Sequence, residues 1–246
     1  MTKLANDAAL ARTVAEGAGA ILLLLQGSGL FEGTALGKAG DRVANAFIIE
    51  ALKAQRPNDA ILSEEEAGDL SRLKATRVWI VDPLDGTREY GERRSDWAVH
   101  IALAVDGKAS VGVVALPALG ETLCSAGCAS PAANGGKLRM LVSRTRPAPE
   151  ALAVAQSLEA ELVPMGSAGA KAMAVVRGDA DIYLHSGGQY EWDNCAPVAV
   201  AEAAGLHVSR IDGSPLVYNR ENPLLPDLLI CPMPLATQIL ALIAAY

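Results

Sequence analysis

Apolar residues recur every three or four positions along residues 5–26 (ANDAALARTVAEGAGAILLLLQ) and 41–55 (DRVANAFIIEALKAQ), a spacing that predicts two amphipathic helices. Between them, residues 27–40 are glycine-rich and read as a loop. Gly17 and Gly19 fall inside the first helical pattern with no strand before them, so they read as points of close helix packing and not as a nucleotide loop. Shorter apolar runs follow at 60–62, 78–81, 97–105 and 110–116, the last two joined by Asp106-Gly107, a hairpin signal. From about residue 138 the pattern alternates: strands at 138–142, 181–184, 206–209 and 228–231, helices at 149–160, 168–177, 194–204 and 234–245. Such alternation predicts an α/β half. Residues 127–137 (GCASPAANGGK) are small and rich in Gly and Pro, the composition of a connection. They divide the chain into an α+β lobe over 1–135 and an α/β lobe over 136–246, expected to pack as one compact unit with the functional loops between them.

Composition narrows the function. The chain has 246 residues, 51% apolar and 4% aromatic, so it can bury a sizeable aliphatic core. A net charge of -7 disfavours a nucleic-acid polymer as partner, because phosphate backbones are held by basic faces. A small phosphate ester stays compatible with that charge, since bound divalent cations reverse the sign of an acidic cluster. The apolar run at 21–25 is too short to span a bilayer, and residues 1–26 lack the order of a signal peptide. Cys124, Cys128, Cys195 and Cys231 lack zinc-ligand spacing and are expected to be reduced, which points to a cytoplasmic protein that does not engage a membrane.

The most informative stretch is Trp79-Ile80-Val81-Asp82-Pro83-Leu84-Asp85-Gly86-Thr87. An apolar strand delivers Asp82 at its end, Pro83 is expected to enforce a turn, and Asp85 returns three residues later. Two carboxylates and the carbonyl of Leu84 then face one point, a set of hard oxygen donors suited to magnesium. Gly86 and Thr87 open a helix or turn with free amides, a docking place for a phosphoryl group. Taken singly, Asp-Pro-Leu-Asp-Gly reads as a surface turn, Glu64-Glu65-Glu66 as a solvated loop and Asp193 as a helix N-cap. Each of these carboxylates, however, borders a regular element, a placement that lets them converge.

Together, DPLDGT (82–87), SEEE (63–66) and WDNCAPVAVAEAAG (192–205) resemble the signatures of the inositol-monophosphatase-like superfamily, over about 41–205. The resemblance implies an α/β fold of the αβαβα layered-sandwich type, a homodimer, lithium sensitivity and two or three Mg2+ ions. It implies that Glu64, Asp82 and the Leu84 carbonyl hold one ion and that Asp82, Asp85 and Asp193 hold a second. Catalytic roles fall to Glu64 and to Asp41 with Thr87, which would position the attacking water. Asp41 also reads as an N-cap of the helix over 41–55. Where many relatives have Thr three residues before this Asp, the chain has Lys38, a candidate contact for a substrate phosphate.

Within the superfamily, Arg88-Glu89-Tyr90 is similar to the pattern of CysQ-type 3'(2'),5'-bisphosphate nucleotidases, and Ser186 stands where inositol phosphatases carry a glutamate. That similarity implies a small phosphorylated nucleotide as substrate, 3'-phosphoadenosine 5'-phosphate or its sulfated analogue, and a place in sulfate assimilation. Its implied substrate contacts are Asp85, Gly86, Thr87, Asp193, Lys38, Ser143, Arg144, Gly166, Ser167 and Lys171, with Tyr190 offered to adenine. Arg139 is a further basic candidate, whereas His100, His185 and His207 lack ligand spacing and receive no chemistry. Competing readings are an inositol monophosphatase, a fructose-1,6-bisphosphatase, or a non-catalytic metal- or phosphate-binding protein. The last has no use for a water-positioning pair. A nucleotide-binding oxidoreductase lacks its GxGxxG signal.

Overall fold

The computed structural model describes residues 3–66, 68–132 and 135–246. Helices α1 (Lys3–Gly27) and α2 (Gly33–Gln55) come first. A five-stranded sheet follows, β1 (Ala60–Ser63), β2 (Arg77–Asp85), β3 (Ala98–Val105), β4 (Lys108–Leu116) and β5 (Glu121–Cys124), arranged in chain order with the short helix α3 (Thr87–Gly91) after β2. Only β1 and β2 run parallel; the rest is an antiparallel meander. A second sheet is built from β6 (Arg139–Ser143), β7 (Glu161–Met165), β8 (Ile182–Ser186), β9 (His207–Ser209) and β10 (Asp227–Cys231) in the order β7-β6-β8-β10-β9. Its helices are α4 (Pro149–Ser157), α5 (Ala168–Arg177), α6 (Glu191–Ala203) and α7 (Met233–Ala244).

Three apolar clusters set the layers. One joins the inner faces of α1 and α2 to Trp79, Val81, Ile101 and Val113 of the first sheet. A second packs α5 and α6 between Ile80 and Ala102 of the first sheet and Leu141, Tyr183 and Leu228 of the second. The third seats α4 and α7 on the far side of the second sheet, around Met140, Ile182 and Leu229. The result is a helix-sheet-helix-sheet-helix sandwich, with α5 and α6 shared by both sheets. By length and composition α1 could cross a membrane, but its stripe Ala11, Ala15, Ala18 and Leu22 is fully buried against the sheet, the position of a core helix.

Several expected boundaries move. The glycine-rich stretch expected as a loop over 27–40 is mostly helix, because α2 starts at Gly33, and Asp41 therefore lies inside the helix and is not its N-cap. The glycines there serve contact. A Cβ on Gly37 would lie 2.7 Å from the Thr87 side chain, and one on Gly40 would lie 2.8 Å from Tyr90. Tertiary packing thus overrides a weak local propensity. Strands β5 and β7 fall in stretches where no element was expected, and α4, expected over 149–160, stops at Ser157. Gly17 and Gly19 are close-packing points, against Phe47 and Pro117. The expected connection over 127–137 includes 133 and 134, which lie outside the described residues.

A close backbone contact between layers is Gly112 of β4, where a Cβ would stand 2.4 Å from the Ala196 carbonyl oxygen and 2.7 Å from the Ala199 Cβ of α6. No flexible side chain can yield there. Gly112→Val is expected to lower unfolding stability by about 2–3 kcal/mol through overpacking, measured by urea denaturation; an unchanged midpoint would show that the layers slide apart at little cost.

Candidate active site

The site forms where β2 ends. In a regular strand, residues three apart point to opposite faces, so Asp82 and Asp85 would diverge. Here the pairing of β2 with β3 shifts register between them: Asp82 faces His100, but Asp85 faces Ala98, so three steps on one strand match two on the other. The extra residue is a bulge, which turns both carboxylates to one side. Pro83 sits within it, where its missing N–H is tolerated. The sequence expectation of a turn after Asp82 is corrected accordingly, since β2 runs on to Asp85. The Leu84 N–H donates to Asp82 Oδ1 at 3.0 Å, and the Leu84 carbonyl accepts from Thr87 Oγ1 at 3.1 Å.

Other elements bring the remaining acids. Ser63 of β1 pairs with Val81, and the Glu64 N–H donates to the Val81 carbonyl at 3.3 Å, which sets Glu64 beside Asp82. Asn45 of α2 pins this loop, accepting from Ser63 Oγ and donating to Glu66 Oε1, both at 2.8 Å. Asp193 arrives in the first turn of α6, where its Oδ2 also accepts the Tyr190 N–H at 2.6 Å, so its helix-capping role and its place in the cluster coexist. The buried Glu191 anchors that turn by accepting from Asn219 N and Arg220 N. Ligand atoms of Asp82, Asp85 and Asp193 lie within 4.8 Å of one another, a group that could hold a metal ion.

The electrostatics of the acids diverge. Burial, then the charges of Glu64, Asp85 and Asp193, push Asp82 well above the usual carboxylate range. Asp193 is pushed up to about 7 by burial and then by Asp85. Glu64 is solvent-exposed as a whole, yet its carboxyl end is desolvated and lies near Asp41, and it too rises to about 7. Asp85 behaves oppositely. Burial alone would raise it, but His100, Ser167 Oγ and the Gly169 N–H hold it at about 2. One carboxylate is therefore ionised throughout, and its neighbours pay the repulsion.

Thr87 and Asp41, the expected water-positioning pair, are also brought together. Thr87 opens α3 after Gly86, whose φ of +90° is a left-handed conformation suited to glycine. Thr87 Oγ1 stands 3.2 Å from Asp41 Oδ1 of α2. Asp41 rises to about 7 through burial and the charge of Glu65, against the Thr87 hydrogen bond.

Beside the cluster opens a cavity of about 670 Å³. Of the expected substrate residues, Asp85, Gly86, Thr87, Ser143, Arg144, Gly166, Ser167, Lys171 and Asp193 line it. Lys38 does not; it is exposed on α2 and lines a second cavity of about 720 Å³ that meets the first at Thr87 and Arg88. Tyr190 is also outside the walls, its ring stacked on Trp192 at 4.8 Å. Arg139 is tied to the Gly178 carbonyl at 3.0 Å, and Ser186 Oγ donates to Glu150 at 2.6 Å.

Two cations inside the cavity are committed to protein groups. Arg144 donates to Glu89 at 2.8 Å and Glu92 at 2.9 Å. Lys171 is buried, and its ammonium donates to the carbonyls of Gly166 and Ser167; burial lowers it to about 8 against the pull of Asp85. It braces the 165–167 turn whose Ser167 holds Asp85. Sequence reasoning missed Arg146, whose N–H donates to Ser143 Oγ at 3.2 Å and whose guanidinium, like that of Arg88, is exposed on the rim with no hydrogen bond or ion pair to the described residues. It also missed His100, which only the sheet register places next to Asp85.

Raised carboxyls give the metal-free protein a definite pH response. A group whose folded pKa exceeds its unfolded value stabilises fully below the unfolded pKa, and that stability is lost as pH rises through the folded one. With Asp41, Glu64 and Asp193 raised to about 7, the melting temperature in EDTA is expected to fall between about pH 4 and pH 7. Magnesium is expected to restore more at pH 8 than at pH 5 in a thermal-shift series. An equal effect at both pH values would contradict a cation bound by these acids.

Comparison with known proteins agrees with this geometry. A model of the inositol monophosphatase family matches residues 8–244. The chain is 49% identical over 253 residues to the 3'-phosphoadenosine 5'-phosphate phosphatase of Mycobacterium leprae, covering 97% of this chain and 93% of that one. It is 35% identical over 203 residues to the 3'(2'),5'-bisphosphate nucleotidase CysQ of Escherichia coli K12, covering 76% of this chain and 82% of that one. The crystal structure of CysQ from Bacteroides thetaiotaomicron superposes with a TM-score of 0.78 at 26% identity, covering 92% of this chain and 97% of that one. An inositol monophosphatase from Anabaena shares the fold, with a TM-score of 0.79 at 23% identity over 100% of this chain and 97% of that one. The chain belongs to the inositol monophosphatase family.

Proposed function

We propose that this protein is a magnesium-dependent phosphatase that removes the 3'-phosphate of 3'-phosphoadenosine 5'-phosphate, releasing AMP and phosphate. The observation that carries the reading is the Thr87–Asp41 pair, 3.2 Å apart, set beside the buried aspartate cluster at the floor of the cavity. The donor set fits the ion. Carboxylates of Glu64, Asp82, Asp85 and Asp193 with the Leu84 carbonyl are hard oxygen donors, and their mutual repulsion is relieved by a divalent cation. Magnesium held there supplies positive charge against the phosphoryl oxygens and acidifies water.

The chain's own groups do the rest. Thr87 Oγ1 accepts a hydrogen bond from the attacking water while its one proton, within reach of both the Leu84 carbonyl and Asp41 Oδ1, turns to Asp41, whose pKa of about 7 suits a base at neutral pH. The water oxygen bonds to phosphorus as its proton passes by way of Thr87 Oγ1 to Asp41, the ester P–O bond breaks, and the sugar oxygen leaves and takes up a proton from solvent. On the rim, Arg146 and Arg88 offer free guanidinium groups to the phosphate that does not react. Arg144 acts one step back, holding Glu89 and Glu92. Two close relatives bear the name of this activity, from Mycobacterium leprae and Mycobacterium tuberculosis. We place the protein in the cytoplasm as a homodimer, with a role in sulfate assimilation.

A phosphate-release panel at one pH and one magnesium concentration tests the reading. The kcat/KM for 3'-phosphoadenosine 5'-phosphate is expected to exceed those for inositol 1-phosphate and fructose 1,6-bisphosphate. Arg146→Ala is expected to cost the nucleotide about tenfold, the worth of one charge-assisted hydrogen bond, and inositol 1-phosphate much less. Preference of the wild type for inositol 1-phosphate would overturn the substrate and leave the phosphatase reading standing.

A further inference from the structure

His100 has no task in the reaction just described, yet it occupies a singular place. It lies on β3, fully buried, between the apolar residues Val99 and Ile101. A polar ring in such a position costs about 1–3 kcal/mol unless its nitrogens are used. Nδ1 is 3.1 Å from the Trp192 carbonyl, which can only accept, so Nδ1 carries the hydrogen and donates. Nε2 stands 3.3 Å from Asp85 Oδ2, a charge contact without the alignment of a full hydrogen bond, and has no other partner. Space on this side is kept by Gly169, where a Cβ would lie 2.0 Å from Nε2. The Gly169 N–H donates to the same Asp85 oxygen at 2.6 Å.

One rigid ring thus touches the Asp85 carboxylate at the end of β2 and the peptide just before Asp193 at the start of α6. We propose that His100 is a positioning residue that fixes the separation of Asp85 and Asp193 and so sets how tightly the acidic cluster holds a divalent cation. The inference rests on the reading of these aspartates as metal ligands. Groups that orient a metal ligand without touching the metal are worth about 10–100-fold in affinity. A merely space-filling residue would be matched by an aliphatic one.

The test compares His100→Gln, His100→Asn and His100→Leu by calorimetric titration of metal-free protein with magnesium at pH 8. Melting temperature in EDTA and kcat at saturating magnesium are measured alongside. Glutamine places an amide N–H near the position of Nε2, facing Asp85, whereas asparagine reaches only the Trp192 carbonyl. The glutamine variant is expected to bind magnesium within about threefold of wild type, and the asparagine and leucine variants about tenfold more weakly or worse. In those two, kcat is expected to fall less than affinity. Should leucine prevent folding, the glutamine–asparagine comparison decides. Equal magnesium affinity of those two variants, or wild-type affinity in a folded leucine variant, overturns the proposal. Asp85→Asn is the control: if it binds magnesium like wild type, the metal reading itself fails. If it loses binding while the His100 variants keep theirs, only the role of His100 falls.

Discussion

Three aspartates with ligand atoms within 4.8 Å of one another, joined by Glu64, crowd like charge where burial already disfavours it. The site is a standing answer to that constraint. Asp85 is kept ionised by the groups gathered on it, Ser167, the Gly169 amide and His100. Asp82 and Asp193 each accept a single backbone N–H, from Leu84 and Tyr190, and with Glu64 they are pushed upward by burial and by their neighbours' charge. The pocket therefore stores an electrostatic cost that a divalent cation held there would relieve. Environments that drive neighbouring acids apart in this way are the usual mark of a catalytic site.

The sandwich exists to enforce this crowding. Glu64 and Asp82 come from neighbouring parallel strands, Asp85 from the far side of a bulge, and Asp193 from a helix that packs between the two sheets. Close approach of α6 to β4 at Gly112 brings the helix near enough to contribute its acid. Around the rim, other charges serve the frame. Lys171 holds the turn that presents Ser167, and the Asp96 carboxylate accepts the Gly166 N–H of that turn at 2.7 Å. At Gly166 itself a Cβ would lie 2.3 Å from the Glu89 side chain, which Arg144 in turn grips.

Much of this was legible in the sequence, for identifiable reasons. Carboxylates in DPLDGT, SEEE and WDN sit where regular elements begin or end, and element ends are where chains converge. The helix over 168–177 was legible to the residue, since Ser167 caps it and Gly178 closes it. What stayed hidden depends on contacts distant in sequence. Glycines at 37 and 40 read as part of a loop because their packing partners, among them Thr87 and Tyr90, lie far along the chain. The ion pairs of Arg144 stayed hidden because nothing local announces Glu89 and Glu92 as its partners. His100 carried no motif at all; only the register of β3 against the bulged β2 sets it beside Asp85.

The central claim is that Asp82 is kept buried among like charges for the sake of a cation and a reaction, at the expense of the empty protein. Asp82→Asn removes the charge and keeps the volume. Thermal unfolding in EDTA, followed by phosphate release at saturating magnesium on the same samples, tests the claim directly. The metal-free variant is expected to melt higher than wild type, because the repulsion is relieved, while turnover falls by about a thousandfold or more. A variant that melts lower than wild type and still turns over at a near-normal rate would contradict it.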